Sequence, residues 1–111
     1  MCNAQTLAHS NDGYIIRCRE CRRVQLAFGT AALTIDEEQL LSIKEKIYYE
    51  MQYRGISYNQ PALKQISIEI NASTMLCLSI NEVTALQDLM DQAFAVIDAY
   101  RIIEKPMEWE N

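Results

Sequence analysis

Gln65-Ile66-Ser67-Ile68-Glu69-Ile70 alternates strictly between polar residues and isoleucine, and Met75-Leu76-Cys77-Leu78-Ser79-Ile80 answers it after the turn-forming Asn71-Ala72-Ser73-Thr74. Successive side chains on a strand point to opposite faces, so the two segments read as a hairpin. Ile66, Ile68 and Ile70 share its core face with Leu76, Leu78 and Ile80, which leaves Cys77 on the other face beside Ser67 and Glu69. The spacing then changes. Leu86, Leu89, Met90, Ala93, Phe94, Ile97 and Tyr100 recur at intervals of three and four, with Gln87, Asp88, Asp91, Gln92 and Asp98 opposite them. That pattern predicts a long helix from Asn81 to about Glu104, closed by Pro106. Asn71-Ala72-Ser73 matches a glycosylation sequon but reads more simply as the hairpin turn.

The same order occurs earlier in the chain. Tyr14–Cys18 and Val24–Phe28 read as strands, Gly29 breaks the pattern, and Ala31–Ile35 adds a short strand. Thr34 and Glu37 have capping-box spacing, and Asp36, Glu37 and Glu38 put negative charge where a helix dipole favours it. Leu40, Ile43, Ile47 and Met51 then mark one face of a helix from near Ile35 to about Arg54, ended by Gly55. A tyrosine-bearing connector, Tyr53 to Pro61, follows. Leu33-Thr34-Ile35-Asp36-Glu37 and Leu78-Ser79-Ile80-Asn81-Glu82 place the same strand end and helix cap 45 residues apart, which suggests a ββα pseudo-repeat. The expected fold is α+β: an antiparallel sheet of four or five strands with both helices packed on one face. Residues 1–111 form one domain in this reading, with 1–12 and 105–111 as loosely ordered tails.

Composition narrows the function. Half of the 111 residues are hydrophobic and 23% are charged, as expected of a globular chain and too apolar for disorder. No apolar run reaches the roughly 18 residues of a membrane span, and the N-terminus lacks the basic and apolar regions of a secretory signal, so the cytoplasm is the expected location. The net charge of −5 is uneven. Residues 1–30 carry Arg17, Arg19, Arg22 and Arg23 against Asp12 and Glu20, a basic knob on an acidic body. Nucleic acid usually requires a broader basic surface, and a solvated hairpin tip is the simpler account.

The chemistry concentrates at Cys18-Arg19-Glu20-Cys21. Two thiols at this spacing on a hairpin aim both sulfurs at one point, half of a tetrahedral zinc site. His9 and Cys2 complete a Cys3His set if the turn at Asn11-Asp12-Gly13 folds His9 back beside the knuckle; Cys77 is the other candidate for the fourth ligand. Position 22 is Arg, where many zinc knuckles carry glycine. Reduced cysteines at a plain turn are an equally simple reading, and a histidine in a polar segment is commonly just exposed. A redox pair would need a lowered thiol pKa, which the four arginines favour but the strand setting does not.

Tyr48, Tyr49, Tyr53 and Tyr58 gather near the end of the first helix, where packing accounts for Tyr48. Met51, Met75 and Met90 read as core filling, and Trp109 as folding onto its own domain. The segment Gly13 to Cys21, followed by Gln25-Leu26-Ala27-Phe28-Gly29, resembles a family of short bacterial proteins, mainly from Bacteroidetes, classed as a domain of unknown function. The resemblance covers most of the chain and rests on Cys18, Cys21, Gln25, Phe28 and Gly29. It implies a single cytoplasmic domain and adds no reaction. No triad, phosphate loop or carboxylate dyad marks an enzyme. The expectation is a binding or assembly module, with an unknown protein partner or a second copy of itself, stabilised by zinc. A thiol redox protein using Cys18 and Cys21 is the alternative, and a nucleic-acid-binding, zinc-ribbon-like module the third.

Overall fold

A hairpin has one apolar face to bury and no second layer of its own, so the placement of the helices decides the architecture. The computed structural model describes residues 3–53 and 62–104. Four strands, β1 (Ala4–His9), β2 (Gly13–Cys18), β3 (Val24–Phe28) and β4 (Ala31–Ile35), form an antiparallel meander in that order. Helix α1 (Glu37–Tyr53) follows, then β5 (Ile66–Asn71), β6 (Thr74–Leu78) and helix α2 (Ile80–Glu104). Among the described residues β5 and β6 form a separate two-stranded sheet. The fold is α+β, with the strands divided between a four-stranded meander and a hairpin.

α2 lies chiefly on β1 and also on β2 and β6, whereas α1 packs on β5 and on α2. The helices thus join the two strand units. Ile66 and Ile68 are buried through this packing, and Leu7, Ile15, Leu26, Leu40, Ile43, Ile47, Leu86, Met90 and Ile97 join them in one continuous core. Residues 4–9, expected in a loose tail, form edge strand β1 and contribute Leu7 and Ala8 to that core. The tail 105–111, with Trp109, and the connector residues 54–61 lie outside the described residues.

The pseudo-repeat is present with a different offset. Strand ends Ile35 and Leu78, caps Asp36 and Ser79, and first helical residues Glu37 and Ile80 are 43 residues apart. Burial follows the same offset: Leu40 and Val83, Ile43 and Leu86, and Ile47 and Met90 are buried pairwise, and Met51 and Phe94 are both half-buried. β4 and β6 share one burial pattern, ending on a buried residue. A shift of two residues preserves strand parity, so alternation alone does not distinguish 43 from 45. The caps do. Asp36 Oδ1 accepts from the Gln39 amide at 2.8 Å, and Gln39 Oε1 accepts from the Asp36 amide at 3.1 Å. Ser79 and Glu82 form the equivalent reciprocal pair at 3.1 and 2.9 Å. The first capping box is therefore Asp36 with Gln39, not Thr34 with Glu37.

Three smaller expectations also change. Tyr48 is 58% exposed and Met75 is 55% exposed, so neither is core packing. Arg17, grouped with the basic knob, is buried. The turn reading of Asn71 holds, because its Oδ1 accepts from the Ser73 amide at 2.9 Å.

The second cap is also an acid-sensitive element. Lys64 Nζ donates to both Glu82 oxygens, at 2.5 and 2.7 Å, while Glu82 accepts from the Ser79 amide. The Lys64 hydrogen bond first, then the Ser79 amide, holds the Glu82 carboxyl below the usual glutamate range. A carboxyl depressed in the folded state adds stability above its unfolded pKa of about 4.3 and loses it as pH falls through the folded value. Ser79→Ala should cost about 1 kcal/mol. Glu82→Gln should lower the urea midpoint at neutral pH and narrow the gap from wild type as the solution is taken below about pH 4.

Candidate functional site

The β2–β3 connection is a tight turn closed around one sulfur. The Cys18 amide donates to the Arg23 carbonyl at 2.8 Å, and the Arg22 amide donates to the Cys18 carbonyl at 3.0 Å. Between these bonds, the Cys21 amide donates to Cys18 Sγ at 3.4 Å. Arg22 has φ of +64°, in the left-handed region. A non-glycine residue is held there at about 1–2 kcal/mol, and this is the position at which the sequence departs from the glycine of many knuckles. Arg22 thus adopts the backbone conformation that glycine would supply.

The turn also holds the start of the chain. The Arg19 amide donates to the Asn3 carbonyl at 3.1 Å, and the Asn3 amide donates to Glu20 Oε1 at 2.8 Å. Ala4 pairs with Cys18, and Gln5 with Arg17. Cys18 is disulfide-bonded, and Cys21 and Cys77 are exposed. Glu20 Oε1 lies 3.8 Å from Cys18 Sγ. Cys21, Arg22 and Arg23 face Asp36, Glu37 and Glu38 across an open depression of about 420 Å³.

The described candidate ligands do not all meet. Cys18 and Cys21 come together at the knuckle. His9 pairs with Tyr14, at the opposite end of the β1–β2 hairpin from the Ala4–Cys18 pair. Five residues of strand at roughly 3.3 Å each separate those ends. The Ser10 amide donates to the Gly13 carbonyl, so the turn there closes the hairpin and carries His9 away from the knuckle. Cys77 is equally remote: it lines a depression with Phe28, Gly29 and Ala31, at the end of β3 away from Val24 and the knuckle. Cys2 lies outside the described residues. Among the described residues, no group of three or more His, Cys, Asp or Glu side chains is arranged to hold a metal ion.

A buried network beside the knuckle went unnoticed in the sequence. Arg17 is 3% exposed and Gln5 8%. Arg17 Nε and Nη2 donate to Gln5 Oε1 at 3.2 and 2.8 Å, and Nη1 donates to Glu37 Oε2 at 3.2 Å. The side chain therefore joins β1, β2 and the first turn of α1. Gln5 Nε2 is buried without a partner. Strand parity was the available signal: Ile15 faces the core, so Arg17 two residues later faces it too.

The outer face of the meander is the other distinctive surface. Thr6, Ile16, Gln25 and Thr34 lie in one cross-strand row, and His9, Tyr14, Ala27 and Ala32 in the next. None of these eight residues is Asp, Glu, Lys or Arg.

These features define a small α+β domain with a cysteine knuckle at the root of its N-terminal strand. The chain belongs to the family of unknown function DUF6686, whose model matches residues 1–103. Comparison with curated proteins and with solved structures returned no match. Among the described residues no helix is long and apolar enough to cross a membrane.

The Arg17 network has a testable asymmetry. Arg17→Met should lower stability by about 1–3 kcal/mol in urea unfolding, because Gln5 Oε1 stays buried without its donor. Adding Gln5→Leu should recover part of that loss, since the oxygen and the orphaned Nε2 leave together.

Proposed function

We propose that this chain is a small cytoplasmic binding or assembly module whose N-terminal strand is fastened by a structural zinc ion on Cys18, Cys21 and Cys2. The observation that carries the reading is the knuckle turn, in which the Cys21 amide faces the Cys18 sulfur and Arg22 takes the left-handed conformation. Metal binds the thiolate form of cysteine. Cys2 is one residue from Asn3, whose amide and carbonyl are both bonded to the knuckle. Three thiolates around a divalent cation carry net negative charge, and Arg19, Arg22 and Arg23 sit in sequence around it. This gives the basic knob a local role.

A thiol redox reading is favoured by one observation, the disulfide at Cys18. In a reducing cytoplasm such bonds are usually transient.

The assembly part rests on the outer face of the meander, whose two cross-strand rows hold no Asp, Glu, Lys or Arg. Two acidic chains meet there without placing charge against charge. Its occupant in this reading is a second copy.

Protein purified untagged under reducing conditions should carry about one zinc per chain. Cys18→Ser should abolish it and lower the melting temperature, and a melting temperature unmoved by chelator would overturn the metal clamp. Metal-free protein in which oxidant removes the Cys18 thiol would favour the redox reading. Sedimentation should show a dimer that Ile16→Lys dissociates. A monomer independent of concentration would sink the self-association.

A further inference from the structure

We infer that the outer edge of β5 is a strand-pairing surface that fits the same edge of a second copy, and that Lys46 holds it closed.

The two strand units supply the comparison. Val24 and Ile66, Leu26 and Ile68, and Phe28 and Ile70 are buried pairwise at a spacing of 42 residues. Val24 pairs with Ile35 as Ile66 pairs with Leu78, and Leu26 pairs with Leu33 as Ile68 with Leu76. β5 therefore has the place in its hairpin that β3 has in the meander. On β3 the bond from the Cys18 amide to the Arg23 carbonyl sets the alternation, so Gln25 and Ala27 turn their backbone groups toward β2. A Cβ at Gly13 of β2 would collide with the Ala27 oxygen, so a strand lies directly against that carbonyl. The corresponding residues of β5 are Ser67 and Glu69, whose backbone groups point away from β6. Among the described residues β5 has no strand on that side.

A lysine stands there instead. Lys46 Nζ donates to the Glu69 carbonyl at 2.6 Å, the acceptor that corresponds to Ala27. On α2, which lies on β1 and β2, the residue 43 positions after Lys46 is Leu89, and it is fully buried. One helix thus covers added strands and buries a leucine, while the other closes a bare edge with an ammonium. Lysine at an edge is a common guard against strand addition.

What the guard excludes follows from β5 itself. Ile66–Asn71 carries one charged residue, Glu69, and no proline. Two such edges, antiparallel about Ile68, put Ser67 opposite Glu69 of the second copy and Ile66 opposite Ile70, with no like charges facing each other. Each Ser67 amide then needs the Glu69 carbonyl of the other chain, the group that Lys46 occupies. With Lys46 removed, the two hairpins join into one four-stranded sheet, a symmetric contact separate from the outer face of the meander.

Sedimentation in the Ile16→Lys background, which takes the meander face out of the measurement, tests this. Ile16→Lys alone should be a monomer whether or not that face pairs in the wild type, so failure of the assembly reading leaves the test intact. Adding Lys46→Ala or Lys46→Ser should double the sedimenting mass, and adding Lys46→Arg, which keeps a long donor, should not. In the dimer the Ser67 and Glu69 amides should exchange more slowly by a factor on the order of tenfold or more. Monomers of both short-chain variants at every concentration would overturn the inference, as would a dimer in which those two amides exchange as in Ile16→Lys alone. Slow exchange of the same amides in the Ile16→Lys monomer would also overturn it, because the edge would then be filled within one chain.

Discussion

A two-stranded hairpin is not stable alone, because it has an apolar face and nothing of its own to cover it. That constraint organises the molecule. The two ββα units share their helices: α1 covers β5 and meets α2, while α2 lies on β1 and β2 and also on β6. Neither core can close without the other unit, so the two halves share one cluster of buried side chains. The reciprocal caps at Asp36 with Gln39 and Ser79 with Glu82 mark the points where the chain changes from strand to helix. They set the rotation with which each helix presents Leu40, Ile43 and Ile47, or Val83, Leu86 and Met90, to the core.

The four-stranded sheet ends at β1, and there the fold concentrates its polar chemistry. Arg17 is the central group. A buried guanidinium is tolerated only where its donors are met, and it meets them from β1 through Gln5 and from α1 through Glu37. One side chain thus ties the edge strand, its neighbour and the helix start together. The adjoining knuckle holds Arg22 in a left-handed conformation while directing the Cys21 amide at the Cys18 sulfur. Backbone strain of this kind persists where surrounding structure enforces it. Membership of DUF6686 assigns no reaction to this corner, so its sulfurs and hydrogen bonds are what the functional reading stands on.

The outer sheet face differs in kind. Thr6, Tyr14, Ile16, Gln25, Ala27, Ala32 and Thr34 lie on it in two cross-strand rows, with His9 beside Tyr14 and Arg23 lining a depression with Ile16, Gln25 and Thr34. The knuckle and this face meet at the Ala4–Cys18 end of the meander.

Much was determined by sequence alone. Alternation of Ile66, Ile68 and Ile70 specified the hairpin, and the three- and four-residue spacing from Leu40 and from Leu86 specified the helices, because local periodicity encodes which side of an element is dry. The nearness of Cys18 to Cys21 was equally legible, since a four-residue turn leaves their sulfurs little room to separate. Which helix covers which sheet was not legible, because an apolar face fits any apolar face and only the complete chain decides the pairing. The true repeat offset escaped for a related reason: strands repeat every two residues, and a slip of two is invisible until a cap forms. Residue type makes His9 a candidate ligand at the knuckle and Cys77 its alternative, but the register of β1 and the placement of β6 put them at the far end of the meander. Arg17 looked like one of four exposed arginines until strand parity turned it inward. Sequence determined the faces of the elements; tertiary structure decided what they face, because long-range packing selects among partners that local pattern makes equivalent.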